Sequence, residues 1–204
     1  MFLIMYLPIS LGKYRRINCT KLKSYESHEI AGNIIEPPGY TSLYKGDYWG
    51  PWKRCKKGTR VKGMKLRIED NQRTGDDTAL NAIRLTCTDG KVLKSKEGGW
   101  GSWQSYIQSD DNRITSVKLR SEPRMRDTWY RSADNTAANG IRFKDGNGKN
   151  YNPGDGNWGD WGSWASCPTG SFIVGFRTYV VPHRGSGDDT ALERVQFKCG
   201  KTTS

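Results

Sequence analysis

The chain has 204 residues and a formal net charge of +12, carried by 33 Lys and Arg against 21 Asp and Glu. Its 24 Gly, 8 Trp and 10 Tyr, set against a modest aliphatic content, suit short strands and tight turns better than helices. No stretch approaches the roughly 20 apolar residues that cross a bilayer as a helix. A basic chain invites a nucleic-acid reading, but zinc-finger spacings and RNA-binding aromatic signatures are missing, so nucleic acid is an unlikely partner.

In chain order, residues 2–9 are apolar and lead into Ser10, Leu11 and Gly12, which resembles the end of a secretory signal. Residues 1–12 are therefore read as a signal remnant, the alternative being an ordinary buried strand. Residues 13–45 read as a basic N-terminal extension. Within it Asn18-Cys19-Thr20 is a glycosylation sequon at Asn18. Residues 13–67 hold 14 Lys or Arg and only four acidic residues, giving +10 of the +12. Such a region favours anionic partners without choosing among them.

Residues 46–200 read as one domain made of three repeats, about 46–97, 98–154 and 155–200. Two markers recur in the same order. The first is Trp-Gly-x-Trp, at residues 49–52, 100–103 and 161–164. The second is an Asp-rich string: Asp76-Asp77-Thr78-Ala79, Asp134-Asn135-Thr136-Ala137 and Asp188-Asp189-Thr190-Ala191. Between and after the markers, apolar residues alternate with basic or polar ones. They are Met64, Leu66, Ile68, then Ile83, Leu85; Val117, Leu119, then Ile141, Phe143; and Val174, Phe176, then Val195, Phe197. A period of two puts each set on one face of a strand. The intervening Lys65, Arg67, Arg84, Lys118, Arg120, Arg142, Lys144, Arg177 and Lys198 fall on the solvent face. Three sheets, each apolar on one side, satisfy themselves by facing a common axis, which predicts an all-β, three-sided prism.

The cysteines follow the repeats. Cys55 and Cys87 are 32 residues apart, and so are Cys167 and Cys199. The middle repeat lacks both members, with Tyr106 and Asp145 taken as the equivalent positions. Paired presence and paired absence predicts the disulfides Cys55–Cys87 and Cys167–Cys199, and hence an oxidising, extracellular setting. Cys19 is left over. No Cys-x-x-Cys occurs and only two His are present, so neither a metal nor a cofactor is expected.

The recurring Gly-Asp-Asp-Thr-Ala-Leu-Asn string followed by Ile-Arg-Leu-x-Cys, with Trp-Gly-x-Trp ahead of it, resembles the vitelline membrane outer layer protein I family over residues 35–200. The resemblance implies a β-prism of three Greek-key sheets with pseudo-threefold symmetry. It also implies a secreted protein of egg envelopes and extracellular fluids, and it allows weak activity on N-acetylglucosamine oligomers. The middle repeat departs from the pattern in Asn135 and in its missing cysteines.

Weighed by chemistry, the Asp-Asp-Thr strings read as structural turns, with Asp and Thr side chains bonding local backbone amides. Glycoside hydrolysis needs two carboxylates facing a scissile bond, which adjacent Asp residues do not provide alone, and Glu69, Glu122 and Glu193 offer no better pairing. No nucleophile elbow or phosphate loop is present. The repeated tryptophans read as caps of the prism interior, whereas Trp129, in the longer middle repeat, is the candidate for stacking on a sugar. These features predict a structural component of an extracellular coat or matrix, with coat proteins as partners. The alternative is a lectin-like module for oligosaccharides or anionic glycans.

Overall fold

The computed structural model describes residues 33–39, 46–71, 78–123, 136–182 and 191–201. Asn18, Cys19 and Trp129 lie outside the described residues, as do residues 1–12. So do Asp76, Asp77, Asp134, Asn135, Asp188, Asp189 and Thr190. The strands run β1 Ile34–Ile35, β2 Lys53–Arg54, β3 Val61–Ile68, β4 Leu80–Cys87, β5 Val92–Lys94, β6 Ser102–Trp103 and β7 Ile107–Gln108. They continue with β8 Ile114–Ser121, β9 Ala138–Asp145, β10 Asn150–Tyr151, β11 Asp160–Trp161, β12 Ala165–Ser166, β13 Phe172–Val180 and β14 Leu192–Gly200. No helix appears among the described residues.

Three antiparallel sheets form around one core. Each is centred on a hairpin of long strands: β3–β4 in sheet 1, β8–β9 in sheet 2 and β13–β14 in sheet 3. The apolar residues alternate inward as their spacing predicts. Met64, Leu66, Ile83, Leu85, Val117, Leu119, Ile141, Phe143, Phe176, Val195 and Phe197 are all buried in a single cluster. Val174 is the exception. A register shift between Ile173 and Gly175 turns Ile173 inward and leaves Val174 half-buried. Lys198 also departs from expectation: it is only 7 % exposed, beside the Trp52 ring.

The sheets do not coincide with the sequence repeats, because each borrows its edge from the next one. β6 and β7, from the middle repeat, pair with β3 of sheet 1. β11 and β12, from the third repeat, pair with β8 of sheet 2. β2, from the first repeat, closes the ring on β13 of sheet 3. Ile34–Ile35, within the stretch read as an extension, adds β1 to the far side of β14. Every sheet is thus completed by a neighbour, and the first repeat is zipped to the last.

This interleaving makes each disulfide a tie between sheets. Cys55 follows β2 on sheet 3 and bonds Cys87 on sheet 1, while Cys167 follows β12 on sheet 2 and bonds Cys199 on sheet 3. The backbone register corrects the middle equivalents. Ser109 donates its amide to Lys62 as Cys55 does to Val174 and Cys167 to Thr115. Ser109 therefore replaces the first cysteine, not Tyr106, and Asp145 replaces the second.

Candidate functional site

The Thr-Ala steps leading into β4, β9 and β14 gather unusual chemistry. Ala79, Ala137 and Ala191 all take left-handed backbone angles, φ +46°, +51° and +49°. A side chain there costs roughly 1–2 kcal/mol, so something must hold the turn. In the first repeat that holder is Glu69. Its Oε2 accepts from the Thr78 amide at 3.1 Å and the Thr78 hydroxyl at 2.6 Å. Asn81 Nδ2 then donates to Thr78 Oγ1 at 2.6 Å and to the Ala79 carbonyl at 3.2 Å. The second repeat repeats this arrangement with Glu122, Thr136 and Asn139. The sequence reading placed the threonine hydroxyl on a local amide; it donates instead to a glutamate from the preceding strand's end. In the third repeat the carboxylate has changed position. Val181 makes the backbone bond to Ala191 that Glu69 makes to Ala79, and the buried Glu193 stands where the others have Asn.

The amide oxygens of Asn81 and Asn139 accept from the Trp100 and Trp158 backbone amides at 3.4 and 3.2 Å. This fixes the Trp-Gly turns against the Thr-Ala steps. Gly101 and Gly159, at φ +84° and +73°, bring those turns so close to β3 and β8 that a Cβ would meet backbone atoms within 2.6 Å. In the third repeat the string equivalent to residues 100–103 is therefore residues 158–161, not 161–164. The doubled Trp-Gly pattern between Trp158 and Trp164 contained this signal.

The repeated tryptophans do not cap the interior. All are half-buried, and Trp49, Trp52, Trp103, Trp161 and Trp164 lie on the outer sheet faces, where the strand cations stack on them. Arg177 sits 4.6 Å from the Trp49 ring and 4.8 Å from that of Trp52, and Arg84 sits 3.9 Å over Trp103. The physical reason is the pleat: edge strands turn these rings to the side on which Lys and Arg project. Each such contact contributes about 0.5–1 kcal/mol at an exposed site.

One cavity of about 340 Å³ opens where the Gly98–Trp100 turn meets the end of β13. Trp100, Lys96, Glu97, Val181 and Pro182 line it together with Ala191. Gly98 lies at its base, so close that a Cβ would sit 2.3 Å from Asn81 Oδ1 and 3.3 Å from the Ala191 methyl. Lys96 Nζ donates to the Val180 carbonyl at 3.3 Å, and Glu97 accepts from Arg84 at 3.1 Å. An aromatic wall with a charged rim suits a small polar-and-apolar ligand such as a sugar ring. Among the described residues, no group of His, Cys, Asp and Glu is placed to hold a metal.

The chain as a whole has counterparts among known proteins. The vitelline membrane outer layer protein I (VOMI) family matches residues 39–153 and 148–204. A vitelline membrane outer layer protein 1 homolog of Mus musculus is 36% identical over 177 residues, covering 79% of this chain and 85% of the relative. The Homo sapiens homolog is 36% identical over 176 residues, covering 79% and 84%. Among solved structures, Calystegia sepium agglutinin superposes with a TM-score of 0.53 at 15% identity, covering 83% of this chain and 97% of that one. A prostate-specific WGA16 glycoprotein lectin gives 0.51 at 12%, covering 81% and 100%. Calsepa lectin, solved in complex with a biantennary N-glycan, gives 0.52 at 16%, covering 83% and 97%. At these identities the lectins share the three-sheet β-prism fold, and the matched sequence carries the kinship: the chain belongs to the vitelline membrane outer layer protein I family.

Proposed function

We propose that this protein is a secreted structural component of an extracellular coat or matrix. The observation that carries the reading is the pair of disulfides tying one sheet to the next, Cys55–Cys87 and Cys167–Cys199. Covalent ties of this kind persist in oxidising compartments, and they fix a prism whose ends are already zipped by β2 and β13. Membership of a family named for an egg envelope's outer layer points the same way. The test is to mix the purified mature protein with isolated envelope or mucous matrix and sediment it. Retention in the pellet at physiological salt is expected; a freely soluble monomer in the supernatant overturns the reading.

The cavity beside Trp100 favours a second reading, oligosaccharide binding. The β-prism shared with lectins supports it, one of them solved with a biantennary N-glycan. Titration with N-acetylglucosamine oligomers, followed by tryptophan fluorescence, is expected to show saturable binding that Trp100→Ala weakens at least tenfold. Equal binding by that variant removes the cavity from consideration.

A further inference from the structure

The outer faces of the three sheets are built to one plan but differ in how their cations are matched. In sheet 3, Arg177 lies opposite the neutral Gln196 and donates to its Oε1 at 2.8 Å. Glu36 there accepts from Arg194 at 2.6 Å and from Gln196 at 2.7 Å. In sheet 1, Lys65 lies opposite Arg84, and Arg84 is paired with Glu97 at 3.1 Å. The neighbouring positions of sheet 1 hold Thr86 and Tyr106.

Sheet 2 is different. Lys118 lies directly opposite Arg142, and Lys144 follows two residues along the same face. Two tryptophan rings interleave with these three cations. Lys118 Nζ lies 5.0 Å from the Trp161 ring and 5.1 Å from the Trp164 ring. Arg142 lies 4.3 Å from Trp161, and Lys144 lies 4.4 Å from Trp164. The nearby carboxylate, Asp155, is engaged by Arg120 at 3.2 Å and reaches Arg142 only at 3.9 Å. Among the described residues, neither Lys118 nor Lys144 has an ion-pair partner; Arg142 Nε is buried without an acceptor, as Arg84 Nε is on sheet 1.

Like charges directly across a hairpin destabilise a sheet. Burial, and after it the charges of Arg142 and Lys144, pull the Lys118 ammonium below the usual lysine value. A polyanion laid along this face relieves that repulsion, and aromatic rings between the charges offer flat apolar surfaces to pyranose rings. We propose that the outer face of sheet 2, formed by Lys118, Arg142, Lys144, Trp161 and Trp164, binds a sulfated glycan chain, sulfates on the cations and sugar faces on the two indoles. This surface is separate from the Trp100 cavity, and it rests on the extracellular reading above, since sulfated chains belong to matrices.

The test measures binding of a sulfated glycosaminoglycan hexasaccharide by calorimetry at low and physiological salt. The variants are Lys118→Gln with Lys144→Gln, Trp164→Ala, and a charge-matched control on sheet 1, Lys62→Gln with Lys94→Gln. Circular dichroism establishes that each is folded. Wild type is expected to bind with affinity that falls as salt rises. The sheet 2 double variant and Trp164→Ala should each lose at least tenfold, while the control stays within twofold. An equal loss in the control means a diffuse cationic surface and overturns the assignment. So does single-stranded DNA binding as tightly as the hexasaccharide, or no binding by wild type. If the hexasaccharide fails while the protein still sediments with matrix, this inference falls and the coat reading stands; if both fail, both fall.

Discussion

Two corners of the prism are closed by covalent bonds and the third by hydrogen bonds. Where sheet 1 meets sheet 2, the positions of the cysteine pair hold Ser109 and Asp145, 1 % and 2 % exposed. Tyr151, stacked on Phe143 at 4.9 Å between ring centres, bridges the gap. Its hydroxyl accepts from the Asp110 amide at 2.9 Å and donates to Asp145 Oδ2 at 2.9 Å. The other oxygen of Asp145 accepts from the Asn147 and Lys149 amides, both at 2.9 Å. Lys149 Nζ reaches back to Asp110 at 2.7 Å. A buried carboxylate is tolerated here because every contact it makes is with a donor. The same joint can thus be made by one covalent bond or by a satisfied polar network, and the two solutions should fail differently.

The largest effect is expected from removing a covalent tie. Cys55→Ala with Cys87→Ala releases a 32-residue loop and should lower stability by about 3–4 kcal/mol in denaturant unfolding. The same change at Cys167 and Cys199 should match it. A loss below about 1 kcal/mol would mean that strand closure by β2 and β13 already supplies the constraint.

Tyr151→Phe comes next. It keeps the ring stacked on Phe143 but leaves Asp145 Oδ2 buried without its donor, a cost of about 1–3 kcal/mol. Hydrogen exchange should quicken at the Asp110 amide and leave the Cys87 and Cys199 amides unchanged. Uniform quickening would show that the corners unfold together. Third in size is the exchange of one solution for the other. Ser109→Cys with Asp145→Cys should form a disulfide by mass and thiol count. The gain from a loop of 36 residues, offset by the lost network, leaves a net of about 1–2 kcal/mol. Two more free thiols than wild type in the purified variant would refute the equivalence of these positions.

The legible part of this molecule was its periodic part. Alternation from Met64 to Ile68 and from Ile141 to Phe143 reports which face is buried, and equal cysteine spacing reports which thiols meet. What sequence spacing could not report was where an edge strand pairs. Because β6 and β7 leave their own repeat for sheet 1, Ser109 rather than Tyr106 stands at the cysteine position. Recurrence in every repeat marks the tryptophans as part of the fold but does not say which face of the sheet they occupy. Their partners, Arg84, Arg142 and Arg177, come from the long strands of the same sheet, which belong to a different repeat. The Glu69–Thr78 bond escaped notice for a related reason: a glutamate at a strand's end pairs with a threonine across a turn, with no periodicity to mark it.

The smallest effect tests the hydrogen-bonded corner by pH. Burial raises the Tyr151 hydroxyl above its ordinary value, so the unfolded chain ionises first and this group's contribution is present below about pH 10 and lost above it. The Asp110 carboxylate raises Lys149, whose contribution likewise holds below its usual range, about 10.4, and fades as pH climbs through the raised value. Lys149 in turn lowers Asp110, whose contribution is present above about pH 3.9 and disappears as pH falls through the lowered value. The corner should therefore be insensitive to pH between about 5 and 9 and weaken at both ends. The disulfides carry no such titration. With any free thiol alkylated to prevent exchange, the denaturant midpoint should fall between pH 9 and 10.5 in wild type. It should fall less in Tyr151→Phe, which has no hydroxyl to ionise there. Lys149→Met should remove a smaller part of the same slope, because both members of its exposed ion pair remain in water. An identical alkaline slope in all three proteins would place the titrating group elsewhere and leave the Tyr151 bridge without a role in the pH response.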